Sequence, residues 1–481
     1  MSRAVPSIDW QLVLGPLAES CPAAEWEQLS QATTQHPQRA IRLHPRRSID
    51  ELPFEVEAVP WCQQGYFLKS ADIRPGEFLH FAAGDYYIQD AGSMLPLAIS
   101  EITPGQWVCD TCASPGGKST GALEQLNGTG LLVANEVIGS RLAILQLALA
   151  RAGYGNYLVT NLDVDRLTGH MAGRFDCVLV DAPCTGQSMV VRGKQSLASY
   201  SATQIEHSSA RQRRIIRAAA ELVKPGGRLV YSTCTFSFAE NEQIVQELAE
   251  EQARWQFKRF EHLQAWETPN FEGCYRLWPH RDGCAGAFAA ALVCTHDRSI
   301  PADDNAGRAD DNPGQTGWAA GRVHATQGHS SPGPKRIWTE LAERPAGLEW
   351  LEEQTLAAVD NPPEVWSARG EQLHRFAADL PAEWLVVANG GVPVAERKGE
   401  RLEPLYGSAV LQRPDLKHRL RIELEDLDAA RYVAGEAIRF SSAESGWCLV
   451  CWRGRPLAWG KLAGGILKNH YPKAMRQARH P

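Results

Sequence analysis

Between residues 100 and 295, short apolar runs alternate with stretches whose apolar positions recur every three or four residues. The runs, bounded by turn-forming residues, predict buried strands, and the helical recurrence predicts helices packed on them. The predicted strands are QWVCD (106–110), GLLVANE (130–136), YLVTNLD (157–163), FDCVLVD (175–181) and GRLVYST (227–233). Helices are predicted near 117–126, over 140–153 with Gly153 as the stop, and roughly over 203–223, closed by KPGG. Such alternation implies an α/β fold: a doubly wound, mostly parallel sheet that binds ligands at the carboxyl ends of its strands.

The pattern changes at both ends. Residues 1–95 mix amphipathic pieces with short strands and predict an N-terminal extension to a catalytic domain at 96–298. Residues 299–336 are rich in Gly, Pro, Asp and Ser and lack apolar periodicity, the composition of a flexible linker. Beyond it, 337–481 predicts a helical piece near 338–359 and then a small β-rich module. Its strands are EWLVVANGG, RLRIEL, GWCLVCWRG and PLAWGKLAGG, with RGRP and AGG as hairpin turns.

Composition adds limits. The 481 residues are 44% apolar and 22% charged, as in globular proteins. No stretch reaches the roughly 18 apolar residues of a membrane span, and the start has no signal-peptide pattern, so a cytoplasmic place is expected. Twelve scattered cysteines read as reduced thiols. The CxxC spacings Cys109/Cys112 and Cys448/Cys451 lack further ligands nearby, so core thiols rather than a metal are expected. The net charge of −7 argues against indiscriminate nucleic-acid binding, yet from Glu444 onward seven Lys/Arg face one acid. Trp447, Trp452, Trp459 and Tyr471 are interleaved with them, which suits either RNA phosphates and stacked bases or a solvated basic tail.

Candidate chemistry gathers at the strand ends. DTCASPGGKS (110–119) leads a strand into a helix through Gly116 and Gly117, which permit close backbone approach to a ligand. Glu136 at the second strand end suits ribose hydroxyls, and Asp163 at the third could meet an adenine. The turn is no Walker loop, because Cys112 stands where that motif has its first glycine. Two further strands deliver Asp181 and Cys184 in DAPCTG and Cys234 in YSTCT. Carbon 5 of a pyrimidine becomes nucleophilic when a thiolate adds to carbon 6 and N3 gains a proton. The cycle ends with loss of the C5 proton and elimination of the thiolate. It needs a sulfur nucleophile, an acid and a group that assists release. The opposing reading is two sulfurs that only pack.

DTCASPGGKS, VANE, DAPCTG and YSTCT, in this order, resemble the Nop/Sun (Fmu-type) RNA cytosine-C5 methyltransferases. GDYYIQDAGSMLP (84–96) and RLWPHRDGCAGAFAAAL (276–292) are similar to the family's flanking segments, and the C-terminal stretch resembles a bacterial subgroup with a PUA-like module that modifies small-subunit ribosomal RNA. The resemblance implies a Rossmann-like class I methyltransferase core using S-adenosylmethionine, with RNA as partner and neither membrane nor DNA. It implies Cys234 as nucleophile, Cys184 in product release, and Asp181 at the cytosine N3 side. Cys112, Ala113, Ser114, Pro115, Gly116, Gly117, Lys118, Glu136, Asp163 and Asp181 would hold the cofactor. A transfer-RNA methyltransferase and a non-catalytic RNA-binding assembly factor are the rival readings. IRLHP (41–45) and GCAGAF (283–288) depart from the family's usual Arg-Val-Asn-Thr and Gly-Glu-Gly-Phe-Phe. Arg141, Arg192, Lys194, His280 and Arg281 are weaker candidates for cofactor or RNA contacts.

Overall fold

A computed structural model describes residues 8–20, 23–190, 192–295, 339–340, 356–358, 365–369, 371–377, 380–399, 401–411 and 417–477. The predicted linker at 299–336 lies outside them. Helices of eight or more residues and the strands through residue 294 are labelled in chain order.

The N-terminal part holds α1 (Ala23–Ala32) and strands β1 (Ala40–Leu43), β2 (Val56–Ala58), β3 (Gly65–Leu68) and β4 (Tyr86–Ile88), ordered β2-β3-β1-β4. The core alternates β5 (Trp107–Asp110), α2 (Gly117–Leu126), β6 (Leu131–Asn135), α3 (Leu142–Arg151), β7 (Tyr157–Thr160), α4 (Val164–Met171), β8 (Phe175–Asp181), α5 (Ala202–Ala220), β9 (Val223–Thr233) and α6 (Glu242–Glu251). Then come β10 (Trp255–Phe257), β11 (Cys274–Leu277) and β12 (Ala287–Cys294). Strands β5 to β9 are parallel and β12 runs antiparallel beside β9, in the order β10-β12-β9-β8-β5-β6-β7. The order reverses between β5 and β8, so Asp110 and Asp181 end the two strands that flank the switch point, where open α/β sheets bind ligands.

Alternation along each strand divides the core. Val108, Leu132, Val159 and Leu179 pack with Leu123 and Leu145 on one face, while Cys109, Val133, Leu158 and Val180 pack with Leu167, Ile216 and Val245 on the other. The predicted strands were therefore buried on both sides, which is why they read as continuous apolar runs. KPGG does not cap a helix. It falls inside β9, where the pairing with β8 shifts register between Phe175 and Cys177.

The predicted helical piece near 338–359 lies largely outside the described residues, of which Thr339–Glu340 and Leu356–Ala358 are short strands. One expectation for the C-terminal part changes. EWLVV lies in a 3-10 turn (Ala382–Val387), and the strand Ala388–Gly390 pairs antiparallel with β7 at the edge of the central sheet. Trp384, 1% exposed, reaches the core beside it, 5.4 Å from Trp107 and 5.7 Å from Phe175 between ring centroids. Trp384→Ala is therefore expected to cost about 3–5 kcal/mol, as deletion of a fully packed aromatic does. Urea unfolding followed by far-UV circular dichroism measures it, and a change under about 1 kcal/mol would mean the segment is not part of the core.

The terminal sheet is ordered Arg421–Glu423, Gly446–Trp452, Arg455–Ala463, Ile466–Asn469, Ile438–Arg439, with α7 (Asp426–Ala434) against it. The predicted hairpin turns are present: Arg453 and Gly454, and Gly464 and Gly465, all have positive φ, as type I′ turns require. Trp447, Trp452, Trp459 and Tyr471 are at most 4% exposed, so they form this module's core and offer no stacking surface. Arg455 is buried too, pairing with Asp85 at 2.9 Å and Glu51 at 3.1 Å across to the N-terminal part. Arg453, Lys468 and Lys473 are the exposed cations of the stretch among those described. Among the described residues no helix is long and apolar enough to cross a membrane.

Candidate active site

Strands β8 and β9 are hydrogen-bonded neighbours, and the loops beyond them carry Cys184 and Cys234. Their sulfurs lie 3.5 Å apart. At that distance one thiol donates to the other. The hydrogen bond from Cys184, helped by the nearby Lys118 ammonium, lowers the pKa of Cys234 against burial and the Asp181 charge. The same bond, then burial, raises Cys184 well above the usual thiol range. The pair therefore loses its first proton from Cys234 and not from Cys184, the order a nucleophile at 234 needs.

Asp181, the last residue of β8, accepts from Ser232 Oγ at 3.0 Å and pairs with Lys118 Nζ at 2.7 Å. Burial works against the charge on Lys118, but Asp181, Asp110 and Cys234 together hold its pKa above the ordinary lysine value. Lys118 therefore joins the loop of β5 to the cysteine site instead of pointing at a phosphate. Asp110 is fully buried, accepts from Ser119 Oγ at 2.6 Å and Cys112 N at 3.3 Å, and is pushed by burial to about 6.

The loop before α2 fits a nucleoside-type ligand. Helix α2 starts without a side-chain cap, so the N–H groups of its first turn stay available. Gly116 has φ +114°, and a Cβ there would come 2.8 Å from Ala148 of α3. Only glycine lets the loop sit this close. Glu136, one residue past β6, is 3% exposed and accepts from Ile138 N at 2.8 Å. Val137 and Ile138 beside it are 58% and 49% exposed, an apolar surface of the kind a base covers. Arg141 spans Glu136 at 3.2 Å and the Ser114 carbonyl at 2.5 Å, tying two ligand loops together. Asp163 does not end a strand. It caps α4, accepts from Asp165 N, and is held at about 2 by Arg214, with which it makes a two-pronged pair.

Several residues serve the frame rather than a ligand. Arg192 binds Asp90 at 2.8 Å, and Asp90 also accepts from Gly92 N and Ala285 N, so the GCAGAF segment is anchored through its backbone. His280 and Arg281 both reach Glu25 of α1. Within IRLHP, Arg42 is buried and binds Glu124, Thr120 Oγ1 and the Gly117 carbonyl, which fixes α2 from beneath. Lys194 is exposed. Among the described residues no group of three or more His, Cys, Asp or Glu is placed to hold a metal.

Sequence reading missed Glu240. It is 0% exposed and accepts the Thr185 N–H at 2.9 Å, the Thr185 hydroxyl at 2.7 Å and the Gln212 amide at 3.0 Å. Burial raises its pKa. It stands in FAENEQ (238–243), where nothing in the sequence sets it apart from a solvated acid; only the tertiary contacts show where it goes.

A family model described as 16S rRNA methyltransferase RsmB/F matches residues 98–293. The models described as the N-terminal domain of 16S rRNA methyltransferase RsmF and as the methyltransferase RsmF PUA domain match 17–91 and 419–477. The chain belongs to the RsmB/F family. Relatives named ribosomal RNA small subunit methyltransferase F include one from Shewanella sp. (strain ANA-3), 28% identical over 446 residues, 89% of this chain and 87% of that protein. Another, from Citrobacter koseri, is 29% identical over 437 residues, 88% of this chain and 85% of that one. A solved methyltransferase homologue from Pyrococcus horikoshii aligns with a TM-score of 0.50 at 26% identity, covering 59% of this chain and 92% of its own. This RsmB/F-family chain has the Rossmann-like methyltransferase core of that fold, followed by a PUA domain.

Proposed function

We propose that this chain transfers a methyl group from S-adenosylmethionine to carbon 5 of a cytosine in small-subunit (16S) ribosomal RNA, through a transient bond from Cys234 to carbon 6. The observation that carries the reading is the pair of sulfurs 3.5 Å apart, one easing the ionisation of the other, beside Asp181 and Lys118. The relatives' name supports the RNA class. S-adenosylmethionine, when bound, supplies the electrophilic methyl group. The loop 112–118 and the start of α2 would hold it, with Glu136 taking ribose hydroxyls, Val137, Ile138 and Asp163 bounding the base, and Asp181 adjoining both ligands.

Cys234 adds its thiolate to carbon 6 while Lys118, paired with Asp181 at the N3 side, gives N3 a proton, leaving carbon 5 electron-rich. After transfer Cys184 releases its S–H proton to solvent and takes the C5 proton as a thiolate, the C6–S bond breaks to return Cys234 as a thiolate, and N3 returns its proton to Lys118. The target base must leave its stack to reach the strand ends. The division at 1–95, 96–298, 299–336 and 337–481 assigns catalysis to the second part and RNA grip by shape and phosphates to the last. The work belongs to the cytoplasm, on RNA or an assembling particle.

Bisulfite sequencing of small-subunit RNA from a deletion strain, before and after incubation with the purified protein and S-adenosylmethionine, tests this. Restoration of 5-methylcytosine at one position is expected. No new 5-methylcytosine in small-subunit RNA or particles would overturn the reading.

A further inference from the structure

The residue after each active-site cysteine is a threonine, and both threonines converge on one buried carboxylate. The geometry points to Glu240 as a positioning residue that sets the separation and hydrogen bond between Cys184 and Cys234. The inference rests on the assignment of these two sulfurs to the reaction. Thr185 gives Glu240 both its backbone N–H (2.9 Å) and its hydroxyl (2.7 Å), while the Thr235 hydroxyl lies 3.2 Å from the same carboxylate. The two threonine hydroxyls are 2.9 Å apart. Gln212 of α5 donates to Glu240 at 3.0 Å and to the Pro183 carbonyl at 3.1 Å, so it holds the same loop one residue before Cys184. The Glu240 carbonyl accepts from Tyr231 OH at 2.7 Å, anchoring the hub to β9 itself.

Among the described residues no cation pairs with this carboxylate, and its surroundings are hydrogen-bond donors on all sides. A carboxylate kept for proton transfer would face the ligand space. This one faces inward and joins two loops. The loops belong to adjacent strands, so strand pairing fixes their bases; beyond the strand ends only such cross-links can fix their tips. A loop shift of an ångström separates the sulfurs beyond hydrogen-bond reach, and then Cys234 loses the donor that eases its ionisation.

The conservative substitution separates this role from acid–base chemistry. In Glu240→Gln the amide oxygen can accept from Thr185 N–H and Gln212, while the two hydroxyls turn to accept from the amide nitrogen. Glu240→Ala removes every acceptor. The full-length protein is assayed in two ways. Alkylation of Cys234 by iodoacetamide, followed against pH by peptide mass spectrometry, reports its ionisation in a field that contains Cys184, Lys118 and Asp181. Methyl transfer to RNA under single-turnover conditions reports the reaction.

For Glu240→Ala, the alkylation midpoint is expected to rise toward that of a free thiol, about 8.5. Single-turnover transfer should fall about 100-fold with KM for RNA within about threefold. Glu240→Gln should restore the midpoint and most of the rate. An unchanged alkylation profile in Glu240→Ala would overturn the inference. So would a Glu240→Gln as inactive as the alanine variant, which would mark an acid–base group. If Glu240→Ala does not fold, Thr235→Val, which deletes the donor beside Cys234, must raise the midpoint in the same direction, and an unmoved profile sinks the proposal. The alkylation readout needs no RNA, so it decides the positioning role even if the methyl acceptor is assigned wrongly.

Discussion

Cys234→Ala is expected to stop methyl transfer, lowering kcat/KM by at least about 10⁴-fold, as removal of an attacking nucleophile does. Binding of S-adenosylmethionine, measured by calorimetry, should change little, because Gly116, Gly117 and Glu136 are held by contacts that do not involve this sulfur and Lys118 keeps its pair with Asp181. The physical ground is the ionisation of the pair. A neutral thiol is a weak nucleophile, and Cys234 is the one that receives a hydrogen bond and sits in the field of Lys118. In the wild type, the rate of adduct formation should rise with pH and level off below the usual thiol range, since the lowered pKa fills the thiolate form earlier. An alanine variant that still methylates within about tenfold of wild type would transfer the nucleophile's role to Cys184.

The second large effect belongs to Cys184. Cys184→Ala is expected to accumulate a protein–RNA species that survives denaturing electrophoresis, with little free methylated product. While Cys234 is a thiolate, Cys184 must keep its proton, chiefly because its S–H is donated to that sulfur. Once Cys234 is bonded to carbon 6 it is a thioether, a poor acceptor, and the main force holding the proton on Cys184 is gone. With that hold gone, Cys184 can release its proton to solvent and then take the C5 proton as a thiolate. That timing is what the C5 proton requires. Loss of Cys184 also removes the donor that helps ionise Cys234, so attack should slow as well. Cys184→Ser, which restores an O–H donor, separates the two effects: faster attack than the alanine variant, but still a trapped adduct. Free product at the wild-type rate from Cys184→Ala would refute the release role.

The catalytic sheet was legible in the sequence because its strands are covered on both faces. The helix at Gly117–Leu126 was equally plain, with a glycine turn before it and Asn127 in the left-handed region after it. What was hidden depends on partners far along the chain. Ala388–Gly390 is too short to show any periodicity, and its place follows from where β7 has a free edge. Trp447, Trp452 and Trp459 stand among cations in sequence, but a strand alternates sides. Trp447 and Trp459 pack on one side of the terminal sheet and Trp452 on the other, and composition alone does not say that both sides are dry. Cysteine chemistry could be named from motif order, yet which sulfur carries the charge follows from a 3.5 Å contact. Glu240 was beyond reach, because an acid near a helix start is ordinarily solvated.

The strand contributed by Ala388–Gly390 bears on how this enzyme can be taken apart. A fragment ending near residue 295 would leave the backbone beside Val159 and Thr160 bare along one border, and would uncover the apolar side of Trp107 and Phe175 that Trp384 shields. Such a border invites pairing with another chain, so the truncated protein should clump at concentrations the intact one tolerates. The segment ahead of the PUA domain and the chemical centre are in this sense a single folding unit, in which Trp384–Gly390 finishes the wall that the catalytic strands begin.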